Sequence, residues 1–484
     1  MSIKDDLEKI VGKQNVSDAP DDLAGYSKDS SLLPPGVANI IAHPESAEHV
    51  SSIVKLANTK NIAVVPVSSK VHFYGSTIPK QGGIIMDLGK MNKIIEVNVS
   101  DRRIRIEPGV TWKQLVPELE RHGMKMVMPL LPHKDRSVVT DYLEREVITN
   151  TVYDYGEPTQ GLQVVWPNGD IFRTGSASVR EYPDSMARGN NPSGPGLDFY
   201  RLVQGAQGTM GTITWMNLKI EAISQIDKIL FAPIDDMARA QEFLYRVLPR
   251  RIGEEVLLLN NVDLATILAE KWPNDFETLR KTLPSWTLVM VICGLVRRPE
   301  EKIAYEEKFL SDVLRNEFND IQLTDNLPQF PGIGKKLLTL LRNPWPKDIY
   351  WKHQWKGGAQ SLFFICKPKD TPRHIETVNS LAARNGYAPE DIGMYIQPIE
   401  HNRACQMEFI FFYDPSDEVS KASIANLYQK SAAVLLNDGA FFTRPYGVLA
   451  PMIYERAGSY TALLKRVKKV FDSNNIMNPG NLCF

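Results

Sequence analysis

Near the end of the chain, in GAFFTRPYGVLA, Arg444 and Tyr446 stand two residues apart. On an extended segment they share a face. A guanidinium that grips a carboxylate or steadies a developing oxyanion, and a phenol that acts as acid or base, could then address one ligand together. An arginine simply paired to a carboxylate is the plainer reading of the same residue. A second stretch, PVSSKVHFYGST from Pro66 to Thr77, lies between the apolar runs IAVV and IIMDL. Such a loop either connects two strands or converges its backbone amides on an anion such as phosphate. Ser68, Ser69 and Lys70 suit phosphate, and Gly75 allows close backbone approach. His72 follows Ser68 by four residues and precedes Phe73 and Tyr74; a loop histidine has many ordinary uses.

These residues need elements to hold them. HPESAEHVSSIVKLANTKNI reads as a helix with Pro44 in its first turn and an apolar stripe of Val50, Ile53, Val54 and Ala57. AVVPV and IIMDL read as buried strands flanking the loop, and RRIRIEPGV has the period-two alternation of a half-exposed strand. TWKQLVPELERHG is a helix stopped by Gly123. GLQVVWPNGDIFRTG is a hairpin turning at Pro167 to Asp170, because Asn-Gly supplies the positive φ angles of a tight turn. Ser176 to Asp198 is rich in Gly, Pro, Asn and Ser and reads as a loop near a ligand, after which GAQGTMGTITWMNLKI returns to strand. Longer helices and strands such as WTLVMVICGLV and MEFIFFYD follow from about Ile223. The last helix, SYTALLKRVKKVF, is expected to turn Leu463, Leu464, Val467 and Phe471 inward.

Length and charge narrow the function. At 484 residues the chain exceeds one ordinary core, so two or three lobes that bury a ligand between them are expected. Lys plus Arg number 56 against 57 Asp plus Glu, which does not suggest a nucleic-acid partner. Cys293, Cys366, Cys405 and Cys483 form no C-x-x-C pair, which argues against a zinc or iron–sulfur site and for reduced thiols in a cytoplasm. No run approaches the roughly twenty apolar residues of a membrane span, and the charged start MSIKDDLEKIVGKQNV lacks a secretory core. The chain has no H-E-x-x-H and no G-x-G-x-x-G, and PGIGKKLL lacks the first glycine and the Ser/Thr of a phosphate loop.

In their order and spacing the helix, the VVPVS loop, IIMDLGKMNKIIEVN, RIEPGVTWKQL, GLQVVWPNGDIFRTG, QGTMGTIT and the closing FDSNNIMNPG resemble the vanillyl-alcohol oxidase and p-cresol methylhydroxylase family of flavoproteins. The resemblance covers most of residues 36 to 222 and the final forty. It implies an α+β, two-lobed FAD-binding fold with a cap: residues 1–222 and 441–484 hold FAD and 223–440 form the cap. It also assigns the cofactor to Pro66, Ser68, Ser69, Lys70, His72, Tyr74, Gly75, Ser137, Thr140, Gly208, Gly211, Thr212, Ile213, His401 and Asn478, with His72 and His401 as rival anchors for covalent attachment. Arg444 and Tyr446 become the substrate-facing pair.

The chain also departs from the family. Where members carry a second glycine-rich flavin loop with a Gly-Asn pair, HKDRSVVTDYLEREV places Thr140 and Asp141. A carboxylate beside a pyrophosphate is repelled, so Asp141 must point outward or the cofactor is held differently; Arg136 and Arg145 could offset the charge. The implied reaction is hydride transfer from a para-substituted phenol or aryl alcohol to flavin, with electrons passed to a separate acceptor protein or oxygen. Alternatives are an FAD-linked 2-hydroxy-acid dehydrogenase, although the His-x-Gly-Asp-Gly-Asn metal stretch of many such relatives is absent, and a degenerate subunit that has lost its flavin. An oligomer or complex subunit is implied throughout.

Overall fold

Short apolar runs separated by one amphipathic helix build the first layer, because a strand buried on both faces has no polar side to alternate. The computed structural model describes residues 2–152, 158–179, 191–327 and 330–484. Its first sheet contains β1 (Val16–Ser17), β2 (Ile40–Ala42), β3 (Val64–Val67) and β4 (Ile84–Asp87), in the order β1-β2-β4-β3. The strands β2, β4 and β3 run parallel, as a crossover through the Ala47–Lys60 helix requires. That helix begins three residues after Pro44: the Ser46 hydroxyl accepts from the His49 amide at 3.2 Å and caps it. A good side-chain cap outweighs the helix-opening preference of proline. The Pro66–Thr77 loop leaves the carboxyl end of β3, the end at which ligands bind in open parallel sheets.

The second sheet is antiparallel, ordered β5-β6-β10-β8-β9, with β5 (Ile94–Asn98), β6 (Arg103–Ile106), β8 (Thr159–Val165), β9 (Ile171–Arg173) and β10 (Thr212–Lys219). The β8–β9 hairpin turns through Gly169 at φ +85°. A two-stranded ribbon of β7 (Met124–Lys125) and β11 (Glu221–Ala222) borders this sheet in sequence. Part of the Gly- and Pro-rich Ser176–Asp198 stretch expected near a ligand, residues 180–190, lies outside the described residues.

The third sheet is larger and wholly antiparallel: β12 (Ile226–Ile234), β14 (Trp286–Gly294), β13 (Glu255–Asn260), β16 (Gly393–Ile399), β17 (Ala404–Tyr413) and β15 (Gly358–Cys366), in that order. Leu258, Leu288, Ile396, Met407, Phe409 and Phe364 bury one face under helices that include Met237–Val247 and Glu418–Asn437. On the opposite face, Tyr395 pairs across to Glu408 and Gln397 to Gln406, with Phe363 on the far side of Glu408. A polar patch therefore interrupts an otherwise apolar sheet surface. Cys366 and Cys405 also face each other across β15 and β17, their sulfurs 3.6 Å apart and both free.

After the Glu418–Asn437 helix the chain touches β15 of the third sheet and then returns to the first. Phe441 bridges Ile365, and Met477 lies parallel to Val64, whose amide donates to Ile476 O at 2.7 Å while the Asn478 amide donates to Val64 O at 2.8 Å. The final helix, Gly458–Phe471, seats Lys468 in the interior and leaves Leu463 59% exposed, contrary to the inward placement expected for that leucine. Among the described residues no helix is long and apolar enough to cross a membrane, and no cluster of His, Cys, Asp and Glu could hold a metal ion.

Candidate functional site

Two cavities meet around the loop that leaves β3. The first is lined by Pro66, Ser68, His72, Ser76, Thr77, Thr140 and Glu144 on one side and by Gly208, Gly211, Thr212 and Ile213 on the other. Gly208 has φ +72°, and a Cβ there would stand 2.7 Å from the Pro66 ring, so only glycine lets the two walls come together. Gly211 serves packing: a Cβ would press within 2.8 Å of Val164. Asn478, itself in the left-handed region at φ +41°, donates from one amide nitrogen to Ser76 O at 2.7 Å and Gln207 O at 2.6 Å. It ties the returning chain to both walls.

The loop divides its own residues. The Ser68 hydroxyl bonds that of Thr140, and both line the cavity. Ser69 supports from behind: its carbonyl bonds the Nε2 of His72, and its hydroxyl accepts from the Ser137 amide at 3.3 Å. Ser137 caps the Val138–Leu143 helix, accepting from Thr140 N at 3.2 Å and donating to Pro108 O at 2.6 Å, and is not in the cavity wall. Lys70 is exposed, its ammonium 5.5 Å from the Tyr26 ring. The Gly75 amide is taken by Asp29 at 2.6 Å, and a Cβ on Gly75 would strike Leu33 at 2.2 Å, so its positive φ serves the approach of the chain itself. His401 lies on the β16–β17 turn, where its amide donates to Thr151 O, and is outside both cavity walls.

Burial holds the His72 imidazole neutral, with its pKa lowered to about 4. Its Nδ1 and the Thr212 Oγ1 are buried at the cavity with no hydrogen-bond partner. An interior rarely tolerates such orphans unless a ligand completes them. With five hydroxyls, a neutral imidazole and a glycine floor, the cavity fits an acceptor-rich group such as the pyrophosphate and ribose portion of FAD.

The departure at Thr140–Asp141 is resolved by the short helix that carries it. Thr140 faces the first cavity, while Asp141 turns to the second, where Trp112 Nε1 donates to it at 2.6 Å and Arg136 Nε donates to its other oxygen. Arg136 also donates to Glu144 at 2.5 Å and to Val71 O at 3.2 Å. Burial nonetheless pushes the Asp141 carboxyl up to about 6, against the pull of Arg136. Glu144, raised by burial too, is the one carboxylate in the first cavity, and the Ser76 hydroxyl donates to it at 3.0 Å.

The second cavity is walled by rings: Phe73, Tyr74, Tyr350, Trp351 and Tyr395, with Leu130, His133 and His353. Phe73 stacks on Tyr350 at 5.0 Å and Tyr74 on Tyr446 at 4.8 Å. Burial lifts the Tyr74, Tyr350, Tyr395 and Tyr446 phenols well above their ordinary pKa. Tyr446 shares an adjoining cavity with Tyr74. Arg444 is nearby but already engaged: it pairs with Glu146 at 2.6 Å, donates to Gln406 at 3.1 Å and lies 3.9 Å from the Phe363 ring. The side chains it presents to the cavity wall are Glu146 and Gln406. Burial acts to raise the Glu146 pKa, but Arg444 and Arg136 outweigh it and hold the carboxyl below its usual range. Lys352, ion-paired with Glu408, lines the same cavity.

Glu146, Lys352, Gln406 and Glu408 were absent from the residues the sequence singled out. One signal existed: in CQMEFIFFY, polar residues at 406 and 408 break an apolar strand with the period of one sheet face. Their partners lie far away in the chain, where no local pattern reaches.

An FAD-binding domain model matches residues 38–175. The mitochondrial D-lactate dehydrogenase [cytochrome] of Arabidopsis thaliana is 24% identical over 456 residues, spanning 92% of this chain and 73% of that protein. The flavoprotein subunit of 4-cresol dehydrogenase [hydroxylating] from Pseudomonas putida is 31% identical over 179 residues, 35% of this chain and 34% of that one. Among solved structures, p-cresol methylhydroxylase with substrate bound superposes with a TM-score of 0.83 at 18% identity, covering 99% of this chain and 96% of the other.

Proposed function

We propose that the chain, which carries an FAD-binding domain over residues 38–175 and shares the fold of p-cresol methylhydroxylase, is an FAD-dependent oxidoreductase of the vanillyl-alcohol oxidase and p-cresol methylhydroxylase superfamily that oxidises a para-substituted phenol or aryl alcohol. Residues 1–222 with 441–484 hold the cofactor, and 223–440 roof the substrate. The carrying observation is the ring-walled second cavity, in which Phe73, Tyr74, Tyr350 and Tyr395 offer flat apolar faces to an aromatic ring. When bound, FAD supplies the acceptor for a hydride from the substrate carbon.

The chain's own residues position the substrate and manage its proton. Glu146, kept ionised by Arg444, takes the proton of the substrate hydroxyl. Arg444 is a positioning residue that acts through Glu146, and its charge also offsets the negative charge that develops as the hydroxyl ionises. Tyr74 and Tyr446, stacked on each other, form the wall against which the ring rests. Trp351, Leu130 and Pro132 add apolar wall that offers water no partner.

Anaerobic mixing of the FAD-loaded protein with 4-ethylphenol, and separately with D-lactate, tests the reading. Bleaching of the flavin absorbance is expected with the phenol only. The rival, oxidation of a 2-hydroxy acid, draws support from the D-lactate dehydrogenase relative that spans 92% of this chain. Reduction by D-lactate and not by 4-alkylphenols would install that rival instead.

A further inference from the structure

The wall of the aromatic cavity carries more ionised groups than its chemistry needs, and each cation in it already has an anion. Arg136 is held by Asp141 and Glu144, Arg444 by Glu146, and Lys352 by Glu408. Of the described residues that line this cavity, Asp141, Glu146 and Glu408 are three carboxylates against the two cations Arg136 and Lys352, while Glu144 faces the first cavity and Arg444 lies behind Glu146. The two imidazoles add no charge: burial lowers His133 and brings His353 to about 4, so both are neutral near pH 7.

The Lys352–Glu408 pair is the one with no evident duty in proton transfer. Glu408 is 4% exposed and sits on β17 between Tyr395 on one neighbouring strand and Phe363 on the other. Lys352 reaches it from the Trp351–His353 turn and also lies 3.5 Å from the Ser361 hydroxyl. An apolar pair of similar volume would serve stability at least as well in such a place. A half-buried lysine without Glu408 would be a ready counter-ion for an acidic ligand.

We infer that Glu408, by occupying Lys352, is a specificity-determining residue that excludes anionic substrates and confines the site to aromatic compounds with an uncharged para substituent. This rests on the phenol reading above. A ligand carboxylate entering the cavity meets no unclaimed cation and a surplus of negative charge, in surroundings where charges are screened far less than in water.

The probes are 4-hydroxyphenylacetamide and 4-hydroxyphenylacetate, nearly identical in shape and differing by one negative charge. Binding of each to the FAD-loaded protein is read from the perturbation of the flavin spectrum, which needs no turnover. The wild-type protein should bind the amide at least tenfold more tightly than the acid. Glu408→Gln, which frees the lysine, should shrink that preference at least tenfold, and Lys352→Met, which leaves Glu408 unbalanced, should widen it. The two substitutions act in opposite directions, so loss of one variant to misfolding leaves the other decisive. Equal affinities of amide and acid in the wild type, or a preference that moves in neither variant, would overturn the inference while leaving the phenol reading standing. If neither compound perturbs the wild-type spectrum, the phenol reading falls and this inference with it.

Discussion

Thr140 and Asp141 are neighbours in sequence and face different chemistry, one a hydroxyl-lined cavity and the other a guanidinium and an indole. A short helix is enough for that, because successive side chains point about 100° apart. The residue with most to reveal by mutation is Arg444. Lysine in its place keeps a charge but loses the planar fork that grips Glu146 and Gln406 together. Arg444→Lys should slow flavin reduction by about a hundredfold, as Glu146 loses its fixed orientation and the site loses part of the charge stabilisation it gives the ionising hydroxyl, with FAD retained. It should also move the acid limb of the pH–rate profile upward, since Glu146 loses the guanidinium hydrogen bond that helps the charges of Arg444 and Arg136 hold its pKa down. A purely structural arginine would leave that limb in place. Tyr446→Phe should combine with Arg444→Lys non-additively if both act on one ligand, which stopped-flow reduction of the two single variants and the double will show. Sequence disclosed Arg444 and Tyr446 by their spacing but not Glu146, because an ion pair between residues 146 and 444 leaves no local trace.

The helices and strands were more legible than the contacts between them. Period-two runs and the Asn-Gly turn correctly located the β8–β9 hairpin, and the apolar stripe of the Ala47–Lys60 helix is buried as its spacing implies. The Gly458–Phe471 helix shows where periodicity runs out. Its inward face is led by Lys468, whose ammonium is bonded to Asp472 at 2.6 Å, Thr209 O at 2.5 Å and Met477 O at 3.2 Å. A pattern that counts lysine as polar rotates such a helix away from the interior and pulls Leu463 in. Stability should follow the observed orientation. Leu463→Gln should change the urea midpoint within the scatter of surface substitutions, about 0.5 kcal/mol. Lys468→Met should cost about 3 kcal/mol or more, because Asp472 is left buried without its cation.

Across the whole molecule, acid should loosen the fold through its buried imidazoles. His72 has a pKa lowered from 6.5 to about 4, so the native state binds fewer protons than the unfolded chain between those values. Its stabilising contribution is full above pH 6.5 and falls as pH drops toward 4, amounting to about 2 kcal/mol lost between pH 7 and 5. His353 acts in the same sense, and Asp141, raised to about 6, acts against them over the same range. Urea melts at pH 7 and 5 should therefore show a lower midpoint at pH 5, with the difference reduced in His72→Gln. The parallel contact between Val64 and Met477 has its consequence during synthesis. The strand β3 is an edge of the first sheet until residues about four hundred positions later arrive to cover it, and contacts of such separation form late. For most of translation the nascent chain displays an apolar strand with one unpaired edge, the kind of surface that recruits other chains. A ribosome that stalls before residue 477 thus releases a chain prone to aggregate, and chaperone demand in cells should rise when codons near the end are made slow to read.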